Sequence, residues 1–265
     1  MATSRFISGL LAAVLTAAPL GAEAAERLKA IQRHGEIRVC IWPDYFSITY
    51  RNPRTGELQG IDIDMAQALA ADLGVKAHFV DSSFALLARN LTGDICDIAM
   101  HAVGVRADRA EHMDFSRPHL VSGIYAVTTR SHPTVKSWDD IDQPGIAVVV
   151  QKGTYMEPVM RDTLKHAELV VVDDFKAREQ EVQSGRADVF MTDYPYGLRM
   201  VSLTDWARLI EPPRPFATTP YAYAVPKGEP DWQARVERFL AEAKADGRLR
   251  AAAERHGLLP ILAKE

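Results

Sequence analysis

Apolar residues recur along the chain with two different periods, and the alternation of those periods outlines a fold. From Asp62 to Leu73, Met65, Leu69 and Leu73 fall every fourth position, with Ala66 and Ala70 beside them and Gly74 after the last. This spacing predicts an amphipathic helix buried along one face. Glu36 to Trp42 reads as a strand behind a helix from Glu26 to His34 that stops at Gly35, and Ala77 to Val80 reads as a second strand. Tyr50 and Leu58 flank Asn52, Pro53, Arg54, Thr55 and Gly56, the turn formers of a hairpin. Ser82 or Ser83 reads as the N-cap of a helix from Phe84 to Leu91, and after Gly93 comes a strand from Ile95 to Met100.

After an irregular stretch around Arg109 and a strand from Ile124 to Thr129, the grammar repeats. Gly145 to Val150, Leu169 to Val172 and Ala187 to Met191 are strand-like, separated by helices from about Pro158 to Leu164 and from Ala177 to Ser184. Tyr221 to Val225 predicts a return strand. Val236, Phe239, Leu240 and Ala243 then predict a helix of 3.6 periodicity, with a last helix ending near Gly257. Helices alternating with short apolar strands signal βαβ construction. The expectation is an α/β protein of two lobes, each a mostly parallel sheet flanked by helices, joined by two hinge crossings. Residues 25–126 and 219–265 form the first lobe and 127–218 the second, with a ligand between them near the strands' carboxyl ends.

Composition narrows the function classes. Of 265 residues, 47% are hydrophobic and 25% charged, and 31 Lys plus Arg against 35 Asp plus Glu leave a net charge of −4. No basic excess is available to grip a phosphate backbone, so nucleic acid is not expected as a partner. Arg5, the apolar run Phe6 to Ala18, Pro19 and the small residues Gly21, Ala22 and Ala24 read as a signal peptide over residues 1–24. With no cysteine at the cut, the exported chain is expected to be free of a lipid anchor. Its two cysteines, Cys40 and Cys96, sit in strand-like runs; buried free thiols are the expectation, and a bridge is open to them if those strands are neighbours. Eight histidines form no HExxH pair and the cysteines no CxxC, so neither a metal nor another cofactor is expected.

The motifs in their order resemble one family over nearly the whole exported chain. They are Gly60, Asp62, Asp64 and Met65 at the head of a helix ending in Leu73 and Gly74; Gly93, Asp97 and Met100; Arg109; Asp114, Phe115, Ser116 and Pro118; Gly153 and Thr154; and Gly185, Ala187, Asp188 and Asp193. This pattern is similar to the bacterial extracellular solute-binding proteins of family 3, the periplasmic receptors of polar amino-acid ABC transporters. The resemblance implies a type II periplasmic binding protein, a monomer that binds a small molecule and passes it to an inner-membrane ABC permease.

The resemblance also implies roles. Arg109 would hold the ligand carboxylate, for which a planar guanidinium fork is suited; without the family, its neighbours Asp108, Glu111 and Asp114 make it a salt-bridging residue. Asp193 would bind the ligand ammonium, or cap the segment that starts at Tyr194 and Pro195, or both. Gly153 and Thr154 would offer free backbone amides to an anion, ahead of a helix opened by Pro158. Gly104 and His101 would lie at the cleft. Phe84, Tyr45 and Tyr155 would wall it, with Trp42 and Tyr196 as weaker candidates. The sequence departs from the family between Met100 and Arg109, where Arg106 and His101 stand in place of hydroxyl residues, which opens the ligand class to other organic anions. The same scaffold is used by periplasmic cyclohexadienyl dehydratases, whose general acid follows the Gly-Thr pair. Here Glu157 lies one position further on, with His101 as a second candidate. An accessory role in quinoprotein alcohol oxidation is a third reading.

Overall fold

The structure, a computed structural model, describes residues 26–264; the leader expected over residues 1–24 lies outside them. The first lobe contains β1 (Glu36–Ile41), the hairpin strands β2 (Tyr50–Arg51) and β3 (Leu58–Gln59), β4 (Lys76–Asp81), β5 (Ile98–Gly104), β6 (Met113–Phe115) and β7 (Leu120–Ser122). The second contains β8 (Tyr125–Thr129), β9 (Ala147–Gln151), β10 (Glu168–Val172), β11 (Val189–Thr192) and β12 (Ala207–Ile210), after which β13 (Thr219–Pro226) returns to the first. The sheet orders are β4-β1-β5-β13-β6, with β7 also on β13, and β10-β9-β11-β8-β12.

Both sheets are mixed. β4, β1 and β5 are parallel, as are β10, β9 and β11. β13 runs antiparallel to β5, β6 and β7, and β8 runs antiparallel to β11 and β12. The mostly parallel sheets of the βαβ expectation therefore fill only part of each lobe. A strand that enters a lobe from the hinge must run away from it, against strands whose carboxyl ends point toward it. Sheet membership places the first crossing between Ser122 and Tyr125, slightly ahead of the expected cut after residue 126, and the second between Ile210 and Thr219.

Local elements follow the sequence where periodicity is strong. The helix Ile61–Leu73 buries Met65, Ala66, Leu69 and Ala70, and Pro230–Ala245 buries Trp232, Val236, Phe239, Leu240 and Ala243. Ahead of the first, Gly60 has φ 137°, and a Cβ there would lie 2.2 Å from the Ile48 carbonyl oxygen, so only glycine fits. Three boundaries move. The helix expected from Phe84 is Leu87–Thr92, and Ser82 turns inward to accept from Asn90 Nδ2 at 2.9 Å rather than capping it, which leaves Phe84 in the preceding turn. The strand expected at Ile95 begins at Ile98, because Asp97 turns its carboxylate back to the Arg38 amide. The helix expected to open at Pro158 opens at Met156.

Cys40 and Cys96 form a disulfide with their Cα atoms 5.6 Å apart, in place of the two free thiols expected. The pairing of β1 with β5 sets Cys40 opposite Ala99 and draws the residues leading into β5 beside it. Both sulfurs are fully buried among Leu87, Leu91, Val103 and Met113.

Candidate functional site

A cavity lies between the lobes, at the carboxyl ends of β5 and β11. The first lobe lines it with Tyr45, Phe84, Ala102, Gly104, Arg109 and Tyr221, and the second with Thr154, Tyr155, Met156, Phe175, Thr192 and Asp193. Seven of the residues singled out in the sequence thus meet at one place: Arg109, Asp193, Thr154, Gly104, Phe84, Tyr45 and Tyr155.

Arg109 sits on the single helical turn Ala107–Ala110 that follows β5. Its Nη1 donates to the Gly104 carbonyl at 3.0 Å, and the guanidinium lies 5.5 Å from the Phe84 ring centroid. A Cβ on Gly104 would come within 3.0 Å of Thr219 and 3.4 Å of Arg109 Nη1, so the bare backbone is what admits the guanidinium. Among the described residues no carboxylate lies within ion-pair distance of it. Burial, then repulsion from Arg106, pushes Arg109 down to about 10, which leaves it charged at neutral pH. Arg106 itself is held by Asp108 through two bonds of 2.9 and 2.8 Å.

Ala102, the neighbouring wall, has φ 50°, a left-handed conformation unusual for a residue with a side chain. Asp62 stabilises it. This fully buried carboxylate accepts the Ala102 amide at 2.8 Å on one oxygen and pairs with His119 Nε2 at 3.0 Å on the other. The aspartate at the head of the amphipathic helix thereby shapes the cavity from behind.

Asp193 caps the helix Tyr194–Leu203, its Oδ1 accepting from the Tyr196 amide at 3.1 Å. Its Oδ2 accepts from the hydroxyls of Tyr45 and, at 3.0 Å, Tyr221, both from the opposite lobe. Burial raises the Asp193 carboxyl above its ordinary range, while the three hydrogen bonds and the charge of Arg178 act the other way. Tyr221 and Arg178 were not singled out in the sequence. Tyr221 is brought to the cavity by pairing with Gly104 across β13 and β5, a tertiary relation that no local spacing announces. Arg178 is fully buried on the helix Phe175–Gln183, where it donates to the Met191 carbonyl at 2.7 Å and lies 4.5 to 4.6 Å from the rings of Phe175, Phe190 and Tyr196.

The amide anion site expected at Gly153 and Thr154 is closed by the chain itself. Glu157 Oε2 accepts the Gly153 amide at 3.0 Å, and the Thr154 amide and hydroxyl both donate to the Gln151 carbonyl, at 3.3 and 2.8 Å. Glu157 also pairs with Arg161 at 3.1 Å; the Gly153 bond first, and Arg161 after it, hold its carboxyl below the usual range. It does not line the cavity. His101 lies edge-on to Phe84, 5.1 Å between centroids, fully buried and outside the lining, with neither ring nitrogen hydrogen-bonded among the described residues. Burial, with the Arg109 charge, pushes it down to about 4, so the ring is neutral at pH 7. Trp42 stacks on Phe175 across the lobes at 4.1 Å, and the Tyr196 hydroxyl turns away to Glu179. Thr192, missed in the sequence, presents a buried Oγ1 without a hydrogen-bond partner among the described residues.

Residues 37–258 match the family described as bacterial extracellular solute-binding proteins, family 3. A cyclohexadienyl dehydratase of Pseudomonas aeruginosa is 33% identical over 90% of this chain and 88% of its own length. An L-cystine-binding protein of Escherichia coli is 27% identical over 86% and 85%. Among solved structures, an ancestral amino-acid-binding protein described as a precursor of cyclohexadienyl dehydratase superposes with a TM-score of 0.78 at 30% identity, over 86% of this chain and 98% of that one. A binding component of an ABC transporter from Wolinella succinogenes, complexed with lysine, gives 0.77 at 28% identity over 84% and 95%. With the match running from the first strand to the last helix, the chain belongs to the bacterial extracellular solute-binding proteins of family 3.

Proposed function

We propose that this protein is a periplasmic receptor that takes up a small carboxylate-bearing solute between its lobes and presents it, once closed, to an inner-membrane ABC permease. The observation that carries the reading is Arg109: a charged guanidinium that, among the described residues, is satisfied only by one backbone carbonyl and faces a cavity that both lobes line. Two parallel N–H donors in such a place match two carboxylate oxygens. Groups on both lobes reach a guest together only when the lobes are closed, so the guest favours the closed form by differential affinity. Export through the expected leader, and action as a monomer, complete the proposal.

The dehydratase reading has one observation in its favour, the 33% identity to a cyclohexadienyl dehydratase. Against it stands Glu157, which is spent on the Gly153 amide and Arg161 and held ionised, whereas a general acid must reach its substrate with a proton to give. A thermal-shift screen with amino acids, hydroxy acids, dicarboxylates, amines and prephenate, followed by a turnover assay on every hit, separates the two. Saturable stabilisation without product supports a receptor. Product formation that is lost in Glu157→Gln supports the enzyme and refutes the receptor.

A further inference from the structure

Charged and polar groups around the cavity are unevenly satisfied, and the imbalance selects among carboxylates. Asp193 Oδ2 accepts two phenol hydroxyls and Oδ1 accepts a helix amide. Tyr45 and Tyr221 are only 3% and 2% exposed, so an ammonium that took their place on the carboxylate would strand a buried hydroxyl. Arg178, fully buried and with its Nε and Nη2 unpaired among the described residues, also acts on the carboxylate charge, although burial still outweighs it. Arg106 is neutralised by Asp108, and His101 is uncharged. What remains is one positive charge, that of Arg109.

Resting on the receptor reading above, we propose that the guest is an organic monocarboxylate with an apolar body and a neutral oxygen substituent, a hydroxyl or keto group, and no ammonium. A monoanion neutralises Arg109, whereas a zwitterion brings a second cation into a desolvated site where Asp193, the only carboxylate lining it among the described residues, already accepts three hydrogen bonds. Thr192 Oγ1, buried and unpartnered, is both donor and acceptor, which suits a hydroxyl or a carbonyl; Tyr155 Oη sits near Tyr221 and Thr219 without a hydrogen bond of ordinary geometry and is equally versatile. Phe84, Phe175, Met156 and Ala102 supply the apolar wall.

Calorimetry with matched probes tests this: L-leucine against 2-hydroxy-4-methylpentanoate and 4-methyl-2-oxopentanoate, and L-phenylalanine against phenyllactate and phenylpyruvate. In at least one set the oxygen acid is expected to bind about 30-fold or more tightly than the amino acid. Equal affinity, or a preference for the amino acid, overturns this proposal and leaves the receptor reading standing. No binding by any of the six also overturns this proposal, and the receptor reading is then decided by the wider screen above. The double variant Tyr45→Phe, Tyr221→Phe frees Asp193 Oδ2, and L-leucine is expected to gain about tenfold on its hydroxy analogue. An unchanged ratio in the folded variant overturns the role given to the two hydroxyls, and the proposal with it.

Discussion

At the head of β5, Asp97 accepts the Arg38 amide of β1 at 2.8 Å; at the head of β11, Asp188 accepts the Ala147 amide of β9 at the same distance. Each lobe thus pins the start of its central strand with one carboxylate, and each carboxylate has cationic or ring-nitrogen company, Arg27 and Arg38 in the first lobe and His132 in the second. At their other ends the two strands diverge. β5 leads through Ala102 and Gly104 to a guanidinium with a backbone acceptor only, while β11 leads through Thr192 to a carboxylate whose hydrogen bonds are largely taken. Strand starts, far from the cavity, are electrostatically closed because nothing else will complete them. Strand ends are where one lobe keeps a charge with no carboxylate beside it among the described residues and the other does not, and the proposed anion site rests on that difference.

The largest expected effect removes the unanswered charge. Arg109→Ala should weaken carboxylate binding by about 100- to 1000-fold in calorimetry, the usual cost of losing one side of a buried charged pair; affinity within threefold of the parent would place the anion elsewhere. The mirror experiment acts on a closed part of the first lobe. Replacing both Cys40 and Cys96 by serine opens a loop of 56 residues and should lower stability to urea by about 2–4 kcal/mol. Ligand affinity should hold, since neither sulfur reaches the cavity.

His101 gives the first lobe a response to acid. Its folded value, about 4, lies below the ordinary 6.5, so on acidification the unfolded chain takes up the proton first. The native state therefore loses up to about 3 kcal/mol between pH 6.5 and 4, a loss that should shrink in His101→Leu. Urea midpoints at pH 7, 5.5 and 4.5 read it, and parallel losses in both proteins would show that another group is responsible. The smallest effect is expected at Glu157→Gln. It should cost about 1 kcal/mol or less of stability through the Gly153 and Arg161 contacts, with ligand affinity unchanged.

Much of the architecture was legible because it rests on local periodicity. The four-residue spacing of Met65, Leu69 and Leu73, and the spacing of Val236, Phe239 and Leu240, survive intact as buried helix faces. The hairpin around Asn52 to Gly56 forms as its turn residues dictate, with Tyr50 opposite Gln59 and Arg51 opposite Leu58. The candidate site was legible as far as Arg109 and Asp193 meeting at one cavity, because the family pattern marks them. It was misread at Gly153, where the amide was expected to be free: a glutamate four residues on can fold back to it, and sequence does not record which acceptor arrives first. His101 was expected at the cleft but lies outside the lining, against Phe84, and Tyr221, which does line the cavity, was passed over as a plain strand residue.

By itself the sequence determined the alternation of strands and helices and the two-lobed α/β class. These follow from which residues are apolar at which spacing, a property of short segments. Tertiary structure alone decided that β13 sets Tyr221 beside Gly104, that β1 and β5 bring Cys40 to Cys96, and that Asp193 meets two hydroxyls from across the hinge. Those outcomes join residues from 28 to 148 positions apart, where contact depends on the docking of whole sheets and leaves no periodic trace in the chain.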